Sequence, residues 1–434
     1  MGQELQIVVT FLLFLALLGS GMAVPFAILM PAMVYLYLQG GFAALNGLGL
    51  VSWGSMDSFT LTAIPLFLLM AEFIQRSGLG FRVYAALSKL VSRVPGGLLQ
   101  TNIVGCAMFA AVSGSSIATA AAIGNVALPQ LMSRGYDRKL SAGSLAAGGT
   151  LGILVPPSIA MIVYGTFTET SVAKLFMAGV IPGIILTIMF MAYIAIHSLV
   201  RPSIAPRQAL DAQPVQILRM FLDIAPFILL IFGILGTIYA GIATPTEAAA
   251  AGCLFSIVIC RIFGDLSWKV FVESLRQSML VVGNILFITY AAFVFSYAMS
   301  YGAVGERVTE FIIGLNLTRI EFFLALLVLY TVLGALVESL GMMVITVPLL
   351  YPVLAKYGID PIWFGIIVVV FIELGQITPP IGINLFVIQS IWRGGTIGEV
   401  IAGTIPFHLI MFVLLGLLLA WPDLALWLPR LMSR

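Results

Sequence analysis

Charge is what this sequence has least of. Asp, Glu, Lys and Arg make up 9% of its 434 residues, against about 25% in a soluble globular chain. So few charges cannot coat a water-facing surface. Histidine occurs only twice, at 197 and 408, and cysteine three times. Cys106, Cys253 and Cys260 lie in apolar stretches without metal-ligand spacing and read as small packing residues. No cluster of His, Cys, Asp and Glu offers a transition-metal cage. The net charge of +2 argues against a nucleic-acid partner. No GxxxxGK[ST], GxSxG or HExxH pattern occurs, so neither P-loop ATP hydrolysis nor the hydrolase and metalloprotease chemistries of those motifs are expected. No polar block is large enough for a soluble domain. The longest, 200–219, reads as a basic cytoplasmic linker at 201–219. The N-terminus lacks the basic start of a cleaved signal, so its first helix is expected to be retained.

What the chain has instead is apolar length: 61% of it is hydrophobic. Runs of about 20 apolar residues, enough to cross a bilayer core of about 30 Å, recur from end to end, as at Ile224–Ala240 and Ile401–Trp421. Backbone in lipid must satisfy its own hydrogen bonds, so spans are helices or closed-barrel strands. Stretches such as Phe11–Leu18 are apolar at every position, without the alternation of a barrel strand. An all-α polytopic membrane protein follows. Ten crossings are expected, near 5–19, 23–39, 60–76, 140–169, 175–199, 224–240, 245–261, 279–302, 361–392 and 401–421. The segment 40–58, with Trp53, reads as an amphipathic helix on the outer interface.

Basic residues orient these crossings. With the N-terminus outside, the inside holds Arg76, Arg82, Lys89, Arg93, Arg134, Arg138, Lys139, Arg201, Arg207, Arg219, Arg261, Lys269, Arg276 and Arg393. The outside holds Lys174, Arg307, Arg319, Lys356, Arg430 and Arg434. That is 14 of the 20 basic residues inside. The same bias puts segments 76–93 and 134–139 on one side, so the apolar stretch between them is expected to enter and return.

The chain also matches itself. At an offset of 223, Ser116, Pro129 and Leu131 meet Ser339, Pro352 and Leu354, and Gly135 and Asp137 meet Gly358 and Asp360. In the same register Leu151, Gly152, Pro156 and Pro157 meet Leu374, Gly375, Pro379 and Pro380. Near the start the offset is 220, and Gly21, Ala23 and Pro25 meet Gly241, Ala243 and Pro245. Two repeats are expected, 1–200 and 220–434, each with five crossings and one re-entrant hairpin. Five is odd, so the second repeat inserts upside down, an architecture of secondary transporters with the site at the repeat interface.

Four polar breaks fall into two repeat-related pairs. Ser113-Gly114-Ser115-Ser116, followed by Thr119, interrupts a hairpin at about 96–133, between arms of about 14 residues that are too short to span. Its mate is Glu338-Ser339-Leu340-Gly341 in a hairpin at about 320–357. The alternative for the first is a small-residue packing seam; for Glu338 it is an aqueous surface position. The third break, Gly149 to Ser158, holds Gly152 and Pro156-Pro157 in the crossing 140–169. The fourth, Glu373 to Pro380, holds Gln376, Thr378 and Pro379, with Gly382 and Asn384 beyond, in 361–392. Two successive prolines unwind a helix and free carbonyls, and a desolvated Na⁺ is one partner for these; the alternative is a plain kink.

These breaks offer mostly neutral oxygens, which suit a hard monovalent cation. The acids that read as buried, Glu72, Glu247, Glu338 and Glu373, do not share a motif, and His197 and His408 look structural or interfacial. Na⁺ coupling is therefore preferred to H⁺ coupling.

The stretches SGSSIATAAAIG (113–124), GGTLGILVPPSIAMIVYGTFT (148–168), GIATPTEAAAAG (241–252), ESLGMMVITVPLLYPVLAKYGIDP (338–361) and ELGQITPPIGINLFV (373–387) resemble the large membrane subunit of tripartite ATP-independent periplasmic (TRAP) transporters over nearly the whole chain. The resemblance implies a bacterial inner-membrane protein of the ion-transporter type. Its partners would be a separate small four-helix membrane subunit and a periplasmic substrate-binding protein. The latter delivers a small organic anion such as a C4-dicarboxylate, a sugar acid or sialic acid. Uptake would be coupled to Na⁺ by an elevator motion in the membrane lipid, with no other cofactor and no catalysis. Carried over, Ser113, Gly114, Ser115 and Ser116 with Gly149, Gly152 and Pro156 would hold one Na⁺. Glu338, Ser339 and Gly341 with Gln376, Thr378 and Pro379 would hold another. Substrate would lie near Ser116, Thr119, Ser158, Thr378, Gly382 and Asn384. The family often has Asp where Glu338 stands.

In that reading the hairpins and broken crossings slide against a scaffold of 5–39, 175–199, 224–261 and 401–421. Three other readings compete. A one-component Na⁺- or H⁺-coupled carrier would ignore any binding protein. An intramembrane enzyme would need a catalytic constellation that the scattered acids and two isolated histidines do not provide. A passive channel would need a continuous polar stripe, which is missing.

Overall fold

The computed structural model describes residues 2–91, 94–206, 217–334 and 337–432. Arg93, Arg207, Arg434 and most of the linker expected at 201–219 lie outside these, as do two residues of the second hairpin. Among the described residues there are helices and no strand.

The first half holds ten α-helices: α1 (Gln3–Gly19), α2 (Val24–Leu45), α3 (Leu48–Met56), α4 (Ala63–Arg76), α5 (Leu79–Val91), α6 (Leu98–Ser113), α7 (Ser116–Ser133), α8 (Arg138–Leu154), α9 (Ile159–Thr168) and α10 (Val172–Val200). The second half holds α11 (Ile217–Tyr239), α12 (Pro245–Phe263), α13 (Trp268–Tyr301), α14 (Val304–Gly314), α15 (Arg319–Gly334), α16 (Ser339–Lys356), α17 (Pro361–Ile377), α18 (Ile383–Ile391), α19 (Ile397–Ala420) and α20 (Asp423–Met432).

Among the described residues eight helices or helix pairs are long and apolar enough to cross a membrane, and a ninth is α3 with α4, bent by 55°. Ten crossings were expected. Two of those, α1 and α17, have only 17 residues each and fall among the shorter apolar helices. Conversely α16, expected as a short hairpin arm, has 18 residues and is long enough alone. Many crossing helices keep large apolar side chains exposed, among them Leu229 and Phe232 of α11 and Leu254 and Phe255 of α12. On a helix this length such a face belongs in lipid.

Local chemistry explains where the helices start. Asp137 and Asp360, mates in the sequence match, both cap: Asp137 accepts from the Leu140 amide at 2.7 Å, and Asp360 from the Ile362 amide at 2.8 Å. Each satisfies an amide that a helix start leaves bare. In GIATPTEAAAAG, Thr244 and Glu247 form a reciprocal capping box at the head of α12. Glu247 is thus an exposed cap, and not the buried acid expected. Glu72 is paired with Arg76 at 2.7 Å. The segment 40–58 is the end of α2, past a non-helical Gly40–Gly41 step, followed by α3, and Phe42, Leu50, Trp53 and Met56 are all exposed. It is tied to α13 by Tyr297, whose hydroxyl donates to the Ala44 carbonyl at 3.1 Å.

The helix α19 acts as a ruler for the core. At its start Glu399 pairs with Arg138 at the start of α8 (2.9 Å), and Gly403 meets the backbone of Lys139 and Gly143. Near its end the Leu418 carbonyl accepts from the Trp363 indole, at the start of α17, at 3.0 Å. So α8 runs parallel to α19 while α17 runs against it. The two proline-broken helices therefore lie antiparallel. Each one's continuation crosses to the other half: α9 packs on α16, and α18 on α7.

One grouping differs from expectation. The helices α10 and α19, assigned to a scaffold, pack against α8 and α17 instead. The cause is steric. No side chain separates Gly143 from Gly403, and Gly179 of α10 lies against the Leu154 carbonyl, where a Cβ would come within 2.6 Å. Such close approach is what small residues permit. A second bundle gathers α2, α4, α12 and α13, with α1 on α2 and α11 on α12.

Candidate functional site

The first hairpin turns at Gly114, in the left-handed region (φ 59°), where a side chain would be strained. Its backbone sits directly in the first break. The Gly114 carbonyl accepts from the Ile159 amide at 3.3 Å. A Cβ on Gly114 would lie 2.8 Å from the Pro157 carbonyl oxygen, and one on Gly152 would collide with the Ser115 carbonyl. Gly149 packs equally tightly on Ala120. Pro156-Pro157 is a cis step and both prolines are buried.

Around this junction the hydroxyls are held in place. Ser113 and Thr119 share a 2.7 Å hydrogen bond. Ser115 caps α7 and Ser158 caps α9, each accepting from an amide at 3.4 Å. Ser116 accepts from Asn384 Nδ2 at 2.6 Å, and the same amide donates to the Ala146 carbonyl at 3.2 Å. Asn384 belongs to α18, so the two halves meet at the tip. Its Oδ1 is buried without a partner. Of the substrate candidates, Ser116, Thr119, Ser158 and Asn384 are thus gathered at the first tip or beside it.

The second junction is built differently. Its entry is glycine on glycine: a Cβ on Gly375 would lie 2.9 Å from Gly334 Cα and 3.0 Å from the Tyr330 carbonyl. Glu338 stands at the head of α16 but makes no capping bond with its side chain, and its Oε1 is buried and unpaired. Ser339 begins the helix, and Gly341 lies against Val24 and Val337. Pro379 and Pro380, again cis, are exposed with Ile381. Gly382 (φ 34°) closes the turn, with the carbonyls of Thr378 and Gln376 within 3.1 Å of a Cβ placed there. Thr378 donates to the Leu374 carbonyl at 2.6 Å and contacts His408 Nε2 at 3.0 Å. His408, expected to be structural near a helix end, is joined to this break from within α19. Thr378 and Gly382 are therefore placed at the second break, with Gly382 two residues before the Asn384 that reaches the first tip.

Sequence reasoning also missed a buried chain beside the first hairpin. Tyr84 donates to Asn102 at 2.9 Å, and Asn102 donates to Ser144 at 3.0 Å. A lone asparagine inside an otherwise largely apolar arm was the available signal.

Chemically, the first junction presents hydroxyls and carbonyls against a backbone gap that only glycine allows. Hard oxygen donors of this kind suit an alkali cation, and the described residues hold no group of three His, Cys, Asp or Glu for another metal. Paired hairpins packed on paired broken helices are an architecture of membrane transporters. The chain belongs to the family described as tripartite ATP-independent periplasmic transporter, DctM component, whose model matches residues 9–424. It is 35% identical over 392 residues to the C4-dicarboxylate TRAP transporter large permease protein DctM of Pseudomonas aeruginosa, covering 89% of this chain and 90% of that one. It is 28% identical over 431 residues to the sialic acid TRAP transporter large permease protein SiaM of Vibrio cholerae, covering 96% and 97%. In fold it is similar to the Alcanivorax borkumensis YdaH transporter, with a TM-score of 0.63 at 17% identity over 96% of this chain and 98% of that one.

Proposed function

We propose that this large permease imports a small organic anion by Na⁺-coupled secondary transport. A periplasmic binding protein delivers the substrate, and a separate small subunit completes the membrane part. The substrate class rests on relatives named for C4-dicarboxylate and sialic acid. The observation that carries the reading is the first junction, where Ser115 and Gly114 enter the Gly149–Ser158 break and Asn384 reaches across from the other half.

In this reading Na⁺ is held by Ser113–Ser116 with Gly149, Gly152 and Pro156. A second ion is held at Glu338, Ser339, Gly341, Gln376, Thr378 and Pro379. Bound Na⁺ supplies positive charge at the hairpin tips, where helix N-termini already favour an anion. The chain's residues do the rest. Ser116, Thr119, Ser158 and Asn384 on one side, and Thr378 and Gly382 on the other, orient the substrate. The two halves are inverted repeats in the bacterial inner membrane, with the N-terminus periplasmic. The moving core comprises both hairpins, both broken helices and also α10 and α19. It slides against α1, α2, α4 and α11 to α13.

Uptake of labelled dicarboxylate and sialic acid into proteoliposomes tests this, using the chain with its small subunit, with and without the binding protein. The reading expects uptake only with an inward Na⁺ gradient and the binding protein together. Uptake of free substrate would instead establish a one-component carrier.

A further inference from the structure

The buried chain beside the first hairpin runs through three elements. Tyr84 of α5, Asn102 of α6 and Ser144 of α8 are each 1% exposed or less. Their links run one way. The Tyr84 hydroxyl donates to Asn102 Oδ1 at 2.9 Å, Asn102 Nδ2 donates to Ser144 Oγ at 3.0 Å, and Ser144 donates to the Ser141 carbonyl at 2.9 Å. The chain thus ends on the backbone of α8. Polar side chains at this depth are costly and by default serve a purpose.

The same crossing in the second half does without such a chain. At the offset of 223 Ser144 meets Ile367, and α15 is apolar at every position from Phe322 to Leu329. There α15 is seated on α17 by the stacking of Tyr330 on Phe371 and by Gly334 against Gly375. The architecture therefore does not require polar groups at this place, and what they do is particular to the first half.

What the chain holds is the axial position of one helix on another. Asn102 faces Ser144, and one turn further on Cys106 faces Gly148, where a Cβ would lie 3.0 Å from its sulfur. So α6 and α8 run parallel in one register. Apolar and glycine contacts are non-directional and let such helices slide, whereas a buried Asn fixes register at a definite position. Beyond this point α6 leads to Ser113 and Gly114, and α8 carries Gly149 and Gly152. Clearance there is small, for a Cβ on Gly152 would lie 2.4 Å from the Ser115 carbonyl oxygen. A slip of one residue, about 1.5 Å, would open or close that gap. We infer that Asn102 is a positioning residue, which through Ser144 seats the first hairpin on the broken helix α8 and so fixes the spacing of the oxygens at the first tip. Tyr84 holds the Asn102 amide in the orientation that this needs. The consequence for transport rests on the reading of the first tip as a Na⁺ site; the seating of the helices does not.

Three readouts on the purified full chain test this, beside Asn102→Leu, which keeps the bulk but not the bonds. They are thermal unfolding, labelling of the native cysteines by N-ethylmaleimide mapped by mass spectrometry, and Na⁺-driven uptake with the small subunit and the binding protein. Asn102→Leu should melt where the unaltered chain does. Cys106, buried one turn beyond Asn102, should label about tenfold faster, while Cys253 and Cys260 of α12 keep their rates. The Na⁺ concentration for half-maximal uptake should rise about tenfold, with the maximal rate held within about twofold. If Asn102→Leu does not fold, Ser144→Ala removes the acceptor alone and should move the labelling and the Na⁺ requirement in the same directions. Unchanged Cys106 labelling would overturn the seating of α6 on α8, and faster labelling with an unchanged Na⁺ requirement would overturn the positioning role. Uptake that ignores Na⁺ in the unaltered chain would instead sink the Na⁺ reading of the tip, and the Cys106 rates would still decide whether Asn102 seats the hairpin.

Discussion

The two broken helices share a register of glycine and double proline, yet one is closed and the other open. In the first, Pro156, Pro157 and Ser158 are buried and the hairpin tip fills the gap. In the second, Pro379, Pro380 and Ile381 are exposed, and contact with the hairpin arm is made higher up, at Gly334 and Gly375. The polar chemistry divides the same way. Neutral hydroxyls and a shared Asn serve the closed break, whereas Glu338, Glu373 and Gln376 leave orphaned atoms around the open one. Related sequence thus makes one junction where the hydroxyls are all engaged and the Asn384 Oδ1 is left over, and one where three side chains hold orphaned atoms. An unsatisfied junction is where a ligand or a movement has free energy to gain.

The contrast is broken most severely at Gly152. An added methyl meets the Ser115 carbonyl and the Ser116 amide, which are backbone and cannot swing aside. Gly152→Ala should lower stability by about 2 to 3 kcal/mol and abolish uptake, read by thermal unfolding and by transport. Gly382→Ala at the open break carries its own strain, but the added Cβ comes no nearer than 2.8 Å to a neighbour, against 2.4 Å at Gly152, and it should fold better than Gly152→Ala. Equal damage at both would mean that the open break is as tightly packed as the closed one.

Asn384 is next, because it belongs to the second half but serves the first tip. Asn384→Leu leaves Ser116 and the Ala146 carbonyl without their donor, a loss of about 2 kcal/mol. Uptake should fall about tenfold. A matching loss in Ser116→Ala, without further loss in the double variant, would show that the two act as one unit.

These two residues also mark how far the sequence could be read. Gly152 and the double prolines were legible because they violate helix rules where helix is otherwise continuous. Asn384 was legible as a polar residue beyond a break, but its partner 268 residues away was not. The grouping of α10 and α19 with the core escaped for the same reason. Apolar helices carry no label for their neighbours, and the Gly143–Gly403 crossing shows only once both are in place. Glu247 was misread because a capping box can sit inside an apolar run, where acid and depth are easily confused. Glu373 stood out as an acid, but its isolation is a fact of packing.

His408 offers a milder test. It holds Thr378 at the open break, but Thr378 also keeps its 2.6 Å bond to the Leu374 carbonyl. His408→Gln can preserve a hydrogen bond in place of the ring, whereas His408→Leu removes it at about 1 kcal/mol. Uptake should drop a few-fold in His408→Leu and recover in His408→Gln. Loss in both would mean that the ring's shape matters more than its bond.

The smallest effect should come from the charged fastening at the entry of α8, for the two broken helices are fastened at their entry ends by different means. The start of α8 is held to α19 by Arg138, which grips both Glu399 oxygens at 2.9 and 3.2 Å, donates to the Gly394 carbonyl and lies over Trp392. The start of α17 is held by Trp363, whose indole bonds to Leu418 and whose face carries Arg319 at 5.0 Å. One fastening is a half-exposed ion pair; the other is a buried aromatic. Exposed pairs contribute little because water screens them and both side chains lose freedom. Glu399→Gln should therefore change uptake by less than about twofold, with high salt narrowing the difference further. Trp363→Ala should unfold the chain far more readily, since it empties a buried site. If Glu399→Gln proved the more damaging, the pairing of α8 with α19 would depend on charge at its entry, and the glycine crossing at Gly143 and Gly403 would not suffice to hold it.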